Sequence, residues 1–126
     1  NDFVLYRLAE IYYNKAEALM RKNGGTATQE AVDLVNAVRK RAFSATDWVT
    51  GVYTIPELTL DEFLAERGRE FIFEGKRRTD LIRFGKFTSA TWWDHTPSGT
   101  KYNVFPIPYQ QMVLNKNLKQ NEGYDQ

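Results

Sequence analysis

The sequence predicts a mostly α-helical fold: a helical hairpin, then a capped helix, then a loop-rich C-terminal tail. Three observations predict it. Two segments, 3–23 and 28–43, carry apolar residues at spacings of three and four, the period of a helix with one buried stripe. Gly24-Gly25 stops the first of them, as helix C-termini prefer. Thr59 and Glu62 then form the S/T-x-x-E signature of a helix start. Strand content is expected to be small.

In the first helix the expected buried stripe is Leu5, Leu8, Tyr12, Ala16 and Leu19, with Lys22 in the last turn. In the second it is Ala31, Leu34, Val35, Val38 and Ala42, with Thr26 or Thr28 as the cap. The short connection between them implies an antiparallel hairpin over 3–43. Residues 44–57 lose periodicity and read as a loop containing Trp48, Tyr53 and Pro56. Leu58 and Phe63 are placed for a hydrophobic staple around the Thr59 cap, and the helix that starts there is expected to stop near Gly75. A shorter helical turn over 77–84 completes a helix-turn-helix over 58–84. The loop and tail occupy 88–126: TSATWWDHTPSGT is irregular, Pro106 and Pro108 keep the next segment extended, and a short helix fits about 109–114.

A chain of 126 residues is one domain's length and can bury a core. At 42% apolar and 26% charged its composition is that of an ordinary globular protein, and a net charge of +1 argues against a dedicated polyanion binder. The absence of cysteine removes disulfides, thiol chemistry and thiolate zinc sites; the single histidine, His95, leaves little for a metal centre and reads as a loop hydrogen bonder. No cofactor is expected. No apolar run reaches the ~18 residues of a membrane span. Asn1-Asp2 leads almost directly into helix-like sequence without an initiator methionine, so the chain is expected to be a fragment of a longer protein.

The densest signal is ERGREFIFEGKRRTDLIRFG at 66–85, with ten charged residues among its twenty. Glu66, Glu70 and Glu74 lie at i, i+4 and i+8 along one helical face, a spacing that could serve acid–base hydrolysis of a glycoside. Arg67, Arg69, Arg77 and Arg78 crowd the same stretch, however, and neighbouring cations lower carboxylate pKa values, the wrong direction for a general acid. From Glu66 to Phe87 seven basic residues face four acidic ones, a modest excess for phosphate binding. The structural reading fits better: Glu66, Arg67, Glu70, Glu74, Arg77, Asp80 and Arg83 form an ion-pair network while Phe71, Phe73 and Leu81 are buried.

Four motifs, in order along nearly the whole chain, resemble the C-terminal region of the SusD/RagB-like outer-membrane nutrient-binding proteins. RLAEIYYNKAEALMR at 7–21 is similar to that family's R-x-A-E-x-x-x-x-x-A-E-A helix. LVNAVRKRA at 34–42 is similar to L-x-N-x-V-R-x-R-A, through Asn36, Arg39 and Arg41. The stretch 66–83 follows E-R-x-x-E-[LF]-x-[FL]-E-G-x-R-x-x-D-L-x-R, and FPIP at 105–108 with LKQNEGY at 118–124 follows the tail pattern. Arg78 departs from the family, which often has tryptophan there, as do Lys116 and Glu122, where proline is usual. The resemblance implies that 1–126 is the C-terminal fragment of a SusD/RagB-like domain, with a tetratricopeptide-like hairpin at its start. It further implies a non-enzymatic, surface-exposed lipoprotein of the outer membrane. Such a protein captures glycans, or sometimes peptides, and passes them to a SusC-like TonB-dependent transporter. The membrane is met only through an N-terminal lipid anchor outside this sequence. A helical-repeat interaction module without glycan binding is the alternative that the hairpin alone supports.

The family motifs are scaffold residues, so the candidate ligand contacts are read from this sequence itself. Sugars present apolar C–H faces that flat rings in loops can stack against while polar neighbours hold the hydroxyls. Trp92 and Trp93, with Asp94, His95 and Tyr102, have that chemistry, and Trp48 and Tyr53 are second candidates. In an extended loop adjacent Trp92 and Trp93 face opposite ways, which leaves one as a platform. The bland reading of all these rings is that they cover the core.

Overall fold

The computed structural model describes residues 5–124. The ends of the expected elements at 3–4 and 125–126 lie outside them. Among the described residues six α-helices follow one another: α1 (Leu8–Lys22), α2 (Gln29–Arg39), α3 (Trp48–Gly51), α4 (Leu60–Glu70), α5 (Arg77–Arg83) and α6 (Tyr109–Leu114). Short 3-10 turns sit at Lys40–Ala42 and Thr100–Asn103. Among the described residues the only extended pairing is an isolated antiparallel bridge between Trp92 and His95. The chain divides into two compact units, one ending at Arg77 and the other beginning at Arg78, so the division falls inside the 58–84 stretch.

In the first unit α1 packs on α2 and on α4. The expected stripe on α1 is rotated from the observed one by one residue, ~100° of helix. Leu5 and Leu8 are exposed, Tyr12 and Leu19 half-buried, and only Ala16 of the expected set is inside. The buried face is instead Ala9, Tyr13, Ala16 and Met20, together with Glu10 and Glu17. Alanines seven apart let the helices approach closely, and the two glutamates tolerate burial because each meets a cation: Lys76 lies 3.1 Å from Glu10, and Arg21 lies 2.8 Å from Glu17. On α2, Ala31, Val32, Val35 and Val38 are buried, Leu34 is half-buried, and Ala42 is exposed because the helix has already tightened into the 3-10 turn. Thr28 is the cap, its hydroxyl accepting from the Ala31 N–H at 3.2 Å.

The Thr59 hydroxyl accepts from the Glu62 N–H at 3.1 Å, and Leu58 and Phe63 on either side are fully buried. The box is only half closed: the Glu62 carboxylate turns away to Tyr53 and Arg69. Helix α4 ends at Glu70, short of Gly75, because residues 71–75 form a turn in which Phe73 takes the left-handed φ of 63°. This overturns the expected burial of Phe73, whose side chain is 94% exposed, while Phe71 and Leu81 are buried. An exposed aromatic in the left-handed region carries strain without packing in return. Phe73→Gly is therefore expected to stabilise this chain by about 0.5–1 kcal/mol, after the extra freedom glycine gives the unfolded state. A urea midpoint that does not rise would show that the ring makes a contact that offsets its strain.

In the second unit the Leu81 carbonyl at the end of α5 accepts from the N–H groups of Lys86 and Phe87. The tail is clipped together by amide side chains acting as surrogate backbone. Gln120 accepts from the Ile107 N–H at 2.8 Å and donates to its carbonyl at 2.9 Å, and Asn121 donates to the Phe105 carbonyl at 2.7 Å. Proline on both sides of Ile107 holds the strand extended, where no helix competes for those groups. The Tyr124 hydroxyl closes the unit by donating toward the carbonyls of Lys101 and Val104.

Candidate functional site

The charged stretch is built from partners far away in sequence. Arg7 is extended ahead of α1 and reaches Glu70 and Glu74: its Nε donates to Glu74 at 3.0 Å, and its Nη2 donates to the Glu70 carbonyl at 2.6 Å. The Glu70 carboxylate also takes Arg7 Nη1 and, at 2.5 Å, Arg41 Nη2. Glu66, 3% exposed, accepts from Arg39 Nη1 at 2.5 Å and Arg69 Nε at 2.7 Å. The hydroxyls of Tyr13 and Tyr53 point at the same carboxylate, at 3.3 Å and 3.2 Å. Arg67 turns to Asn14 and covers Phe71, Arg77 donates to the Leu64 carbonyl at 2.7 Å, and Arg83 pairs with Asp80 at 2.9 Å.

Within this network burial works to raise the Glu62 carboxyl, but the Tyr53 hydroxyl and the Arg69 guanidinium outweigh it and hold the group below the usual range. Hydrogen bonding to Glu74 leads in pushing the Arg7 guanidinium further up, against the cost of burial. Arg69 is also raised, because Glu66 and Glu62 together outweigh its desolvation. Burial foremost pushes the Tyr13 and Tyr53 hydroxyls well above their ordinary values. Glu66, Glu70 and Glu74 each face at least one guanidinium, so the arrangement fixes the positions of the segments that carry them.

Sequence proximity pairs these carboxylates with Arg67, Arg69, Arg77 and Arg78; the structure sets Arg69 on Glu66 and adds Arg7 from ahead of α1 and Arg39 and Arg41 from the end of α2 and the turn after it. The available signal was their presence in the first two motifs. Asn36, from the same motif, locks the 44–57 loop: its amide donates to the Tyr53 carbonyl at 2.8 Å and accepts from the Tyr53 N–H at 2.9 Å. The Tyr53 ring is buried beneath Arg39, 4.4 Å from guanidinium to ring centre, with its hydroxyl committed to Glu62, Glu66 and Arg69. Trp48 is half-buried edge-on against Phe43. Gly51 allows that packing, since a Cβ there would sit 2.6 Å from the Phe43 ring.

The remaining candidates lie in the second unit, Trp92, Trp93 and Asp94 on a two-residue hairpin and Tyr102 in the 3-10 turn at Thr100–Asn103. The N–H and carbonyl groups of Trp92 and His95 bond reciprocally, at 2.8 Å and 3.2 Å, and place Trp93 and Asp94 at the tip. The Trp92 indole stacks on the His95 imidazole with ring centres 3.9 Å apart, and His95 Nδ1 lies 2.8 Å from the Ala90 carbonyl. Trp93 has no such cover and is 98% exposed, against 41% for Trp92. Asp94 and Tyr102 face a cavity of about 470 Å³ that Arg78, Phe87 and Phe105 also line. Arg78, at the position where the SusD/RagB pattern often has tryptophan, keeps a flat surface there by stacking on Phe105. Among the described residues no group of three histidine, aspartate or glutamate side chains is placed to hold a metal ion, and no helix is long and apolar enough to cross a membrane.

A helical hairpin braced by arginine–glutamate pairs, followed in sequence by a clipped loop-rich tail, recurs in a known protein family. The SusD family model matches residues 1–104, and the chain belongs to that family. It is 41% identical to the starch-binding protein SusD of Bacteroides thetaiotaomicron over 98% of this chain and 22% of that protein. A SusD-like protein of Formosa agariphila is 28% identical over 98% of the chain and 25% of its own length. Among solved structures a SusD homologue from Bacteroides thetaiotaomicron superposes with a TM-score of 0.74 at 27% identity, covering 95% of this chain and 26% of that one. The chain thus spans roughly a fifth to a quarter of the relatives it matches.

Proposed function

We propose that this chain is the C-terminal part of a non-enzymatic surface lipoprotein. The whole protein captures nutrient oligosaccharides and delivers them to a SusC-like TonB-dependent transporter in the outer membrane. The observation that carries the reading is the 41% identity, over nearly the whole chain, to a protein named for starch binding. The membrane is reached through a lipid anchor on the complete protein, and neither a cofactor nor nucleic acid takes part. Within this chain the sugar contact falls on the hairpin loop: Trp93 is the stacking platform, because its ring is open on both faces, while Asp94 and Tyr102 hold hydroxyls. Trp92 braces the hairpin through His95, and Trp48 is a weaker platform because Phe43 covers part of it.

A tryptophan-fluorescence titration with a panel of neutral oligosaccharides, beginning with malto-oligosaccharides, tests this. Saturable quenching is expected, lost in Trp93→Ala and retained in Trp48→Ala. Since Trp93 is almost wholly exposed, its removal leaves the fold's stability within about 0.5 kcal/mol. No response to any glycan would place the capture loops elsewhere in the complete protein. Quenching that survives Trp93→Ala would move the contact off the hairpin.

A further inference from the structure

The cavity beside the hairpin is set up for a charged ligand. It lies wholly within the second unit, and its volume of about 470 Å³ falls in the usual range of small-molecule sites, about 300–1,000 Å³. Its walls include Arg78, Phe87, Asp94, Tyr102, Phe105 and Tyr124. The Arg78 guanidinium lies 4.1 Å from the Phe105 ring centre and 5.0 Å from that of Phe87. Its hydrogen bonds to the carbonyls of Tyr102, at 2.9 Å, and Asn103, at 3.4 Å, both use Nη2, so Nε and Nη1 remain as donors. A second cation, Lys101, holds its Nζ over two of the lining rings, 5.3 Å from the centre of Tyr102 and 5.4 Å from that of Tyr124. Lys101 Nζ also donates to the Gly123 carbonyl at 3.3 Å, and Asp94 is the carboxylate among the residues that line the cavity. Phe105 is 70% exposed and Tyr102 48%, so ring surface remains open beside the guanidinium.

We infer that this cavity is a subsite for an acidic sugar residue, a hexuronate: Arg78 takes the carboxylate, Phe105 and Tyr102 take the C–H face, and Asp94 accepts from ring hydroxyls. The inference rests on the glycan-capture reading and adds to it a preference for negatively charged glycans. A neutral sugar would use the rings and Asp94 but leave the Arg78 donors unmatched, whereas a carboxylate forms charge-assisted bonds with them. A bare inorganic anion would use Arg78 and leave the rings idle.

The test titrates the isotopically labelled chain with sodium glucuronate, glucose and sodium sulfate at equal ionic strength, following amide shifts of residues 78–105. Glucuronate is expected to shift the resonances of the cavity wall and to bind about tenfold more tightly than glucose or sulfate, the difference made by one charge-assisted hydrogen bond. Arg78→Gln is expected to lose that about tenfold margin. Phe105→Ala, at an exposed ring that the fold does not need, weakens glucuronate as well and serves as the second variant should Arg78→Gln unfold. Equal binding of glucose and glucuronate, sulfate binding as tight as glucuronate, no glucuronate shifts, or indifference to both substitutions overturns the inference. If malto-oligosaccharides still quench Trp93 while glucuronate does nothing, the acidic subsite fails and glycan capture stands. If neither class binds, both fail for this chain.

Discussion

Glu66→Ala is expected to lower the stability of this chain by about 3–5 kcal/mol, the usual cost of removing one partner from a buried ion pair. The carboxylate is 3% exposed and is the point at which α1, α2, the 44–57 loop and α4 meet. Its removal strands several donors at once. The Arg39 side chain is only 17% exposed, so water reaches it poorly, and the Tyr13 hydroxyl loses its acceptor inside the core. Arg69 is half-exposed and keeps Glu62, which limits its share and favours the lower end of the range. Glu66→Gln preserves the shape and one acceptor oxygen, so about 1.5–3 kcal/mol is expected, the worth of hydrogen bonds to a charged group. Urea unfolding followed by circular dichroism reads both. A loss under about 1 kcal/mol for the alanine variant would mean that the network is solvated in solution. The double variant Glu66→Met with Arg39→Met should cost less than the two single changes summed, because no charge is then left unpaired.

That hub also shows where the sequence was legible. Local rules placed the elements: α6 occupies 109–114 as the prolines dictate, Thr28 and Thr59 cap their helices, and the apolar period finds both arms of the hairpin. The same period misassigned the inward face of α1, because it weighs leucine above alanine and tyrosine. The true face is chosen by partners from elsewhere: Phe63, Phe71 and Glu66 for Tyr13, and Lys76 for Glu10. Phe73 failed for a related reason. Hydrophobicity says that a phenylalanine belongs inside, but the turn after α4 puts it in a left-handed conformation facing outward.

The candidate ligand residues separate on similar grounds. Trp48, Tyr53, Trp92 and Trp93 are alike in composition, and only pairing distinguishes them. Tyr53 is fixed by Asn36, a residue seventeen positions away, and Trp92 by His95 across a hairpin that propensity does not announce. The motif residues Gln120, Asn121 and Tyr124 gain a physical meaning only in three dimensions, as clips on the 101–107 backbone. Arg78 could be seen to depart from the family pattern, but not to stack in the wall of a cavity.

Tyr13 joins the aromatic core to the ion-pair hub, and the two halves of its side chain make separable predictions. Its ring is fully buried, 5.7 Å from Phe63 and 5.5 Å, edge-on, from Phe71. Tyr13→Ala would open a cavity the size of a ring and should cost about 3–5 kcal/mol. Tyr13→Phe keeps the ring and removes only a long 3.3 Å hydrogen bond, so about 0.5–1.5 kcal/mol is expected at neutral pH. Alkali reverses their order of interest. Burial first, then the charges of Glu66 and Glu70, pushes the folded-state hydroxyl far above its ordinary value, and Tyr53 is raised as well, mainly by burial and Glu62. A raised folded-state pKa means that the unfolded chain releases the proton first, near pH ~10, while the folded chain still holds it. The contribution is therefore complete below pH ~10 and is lost as pH rises beyond it, by about 1.4 kcal/mol per pH unit for each tyrosine. Wild-type stability should fall steeply above that pH, Tyr13→Phe should fall with a shallower slope, and Tyr13→Phe with Tyr53→Phe shallower still. Parallel slopes in all three chains would mean that the two hydroxyls ionise as freely in the folded protein as in the unfolded one, and the tight hub around Glu66 would have to be abandoned.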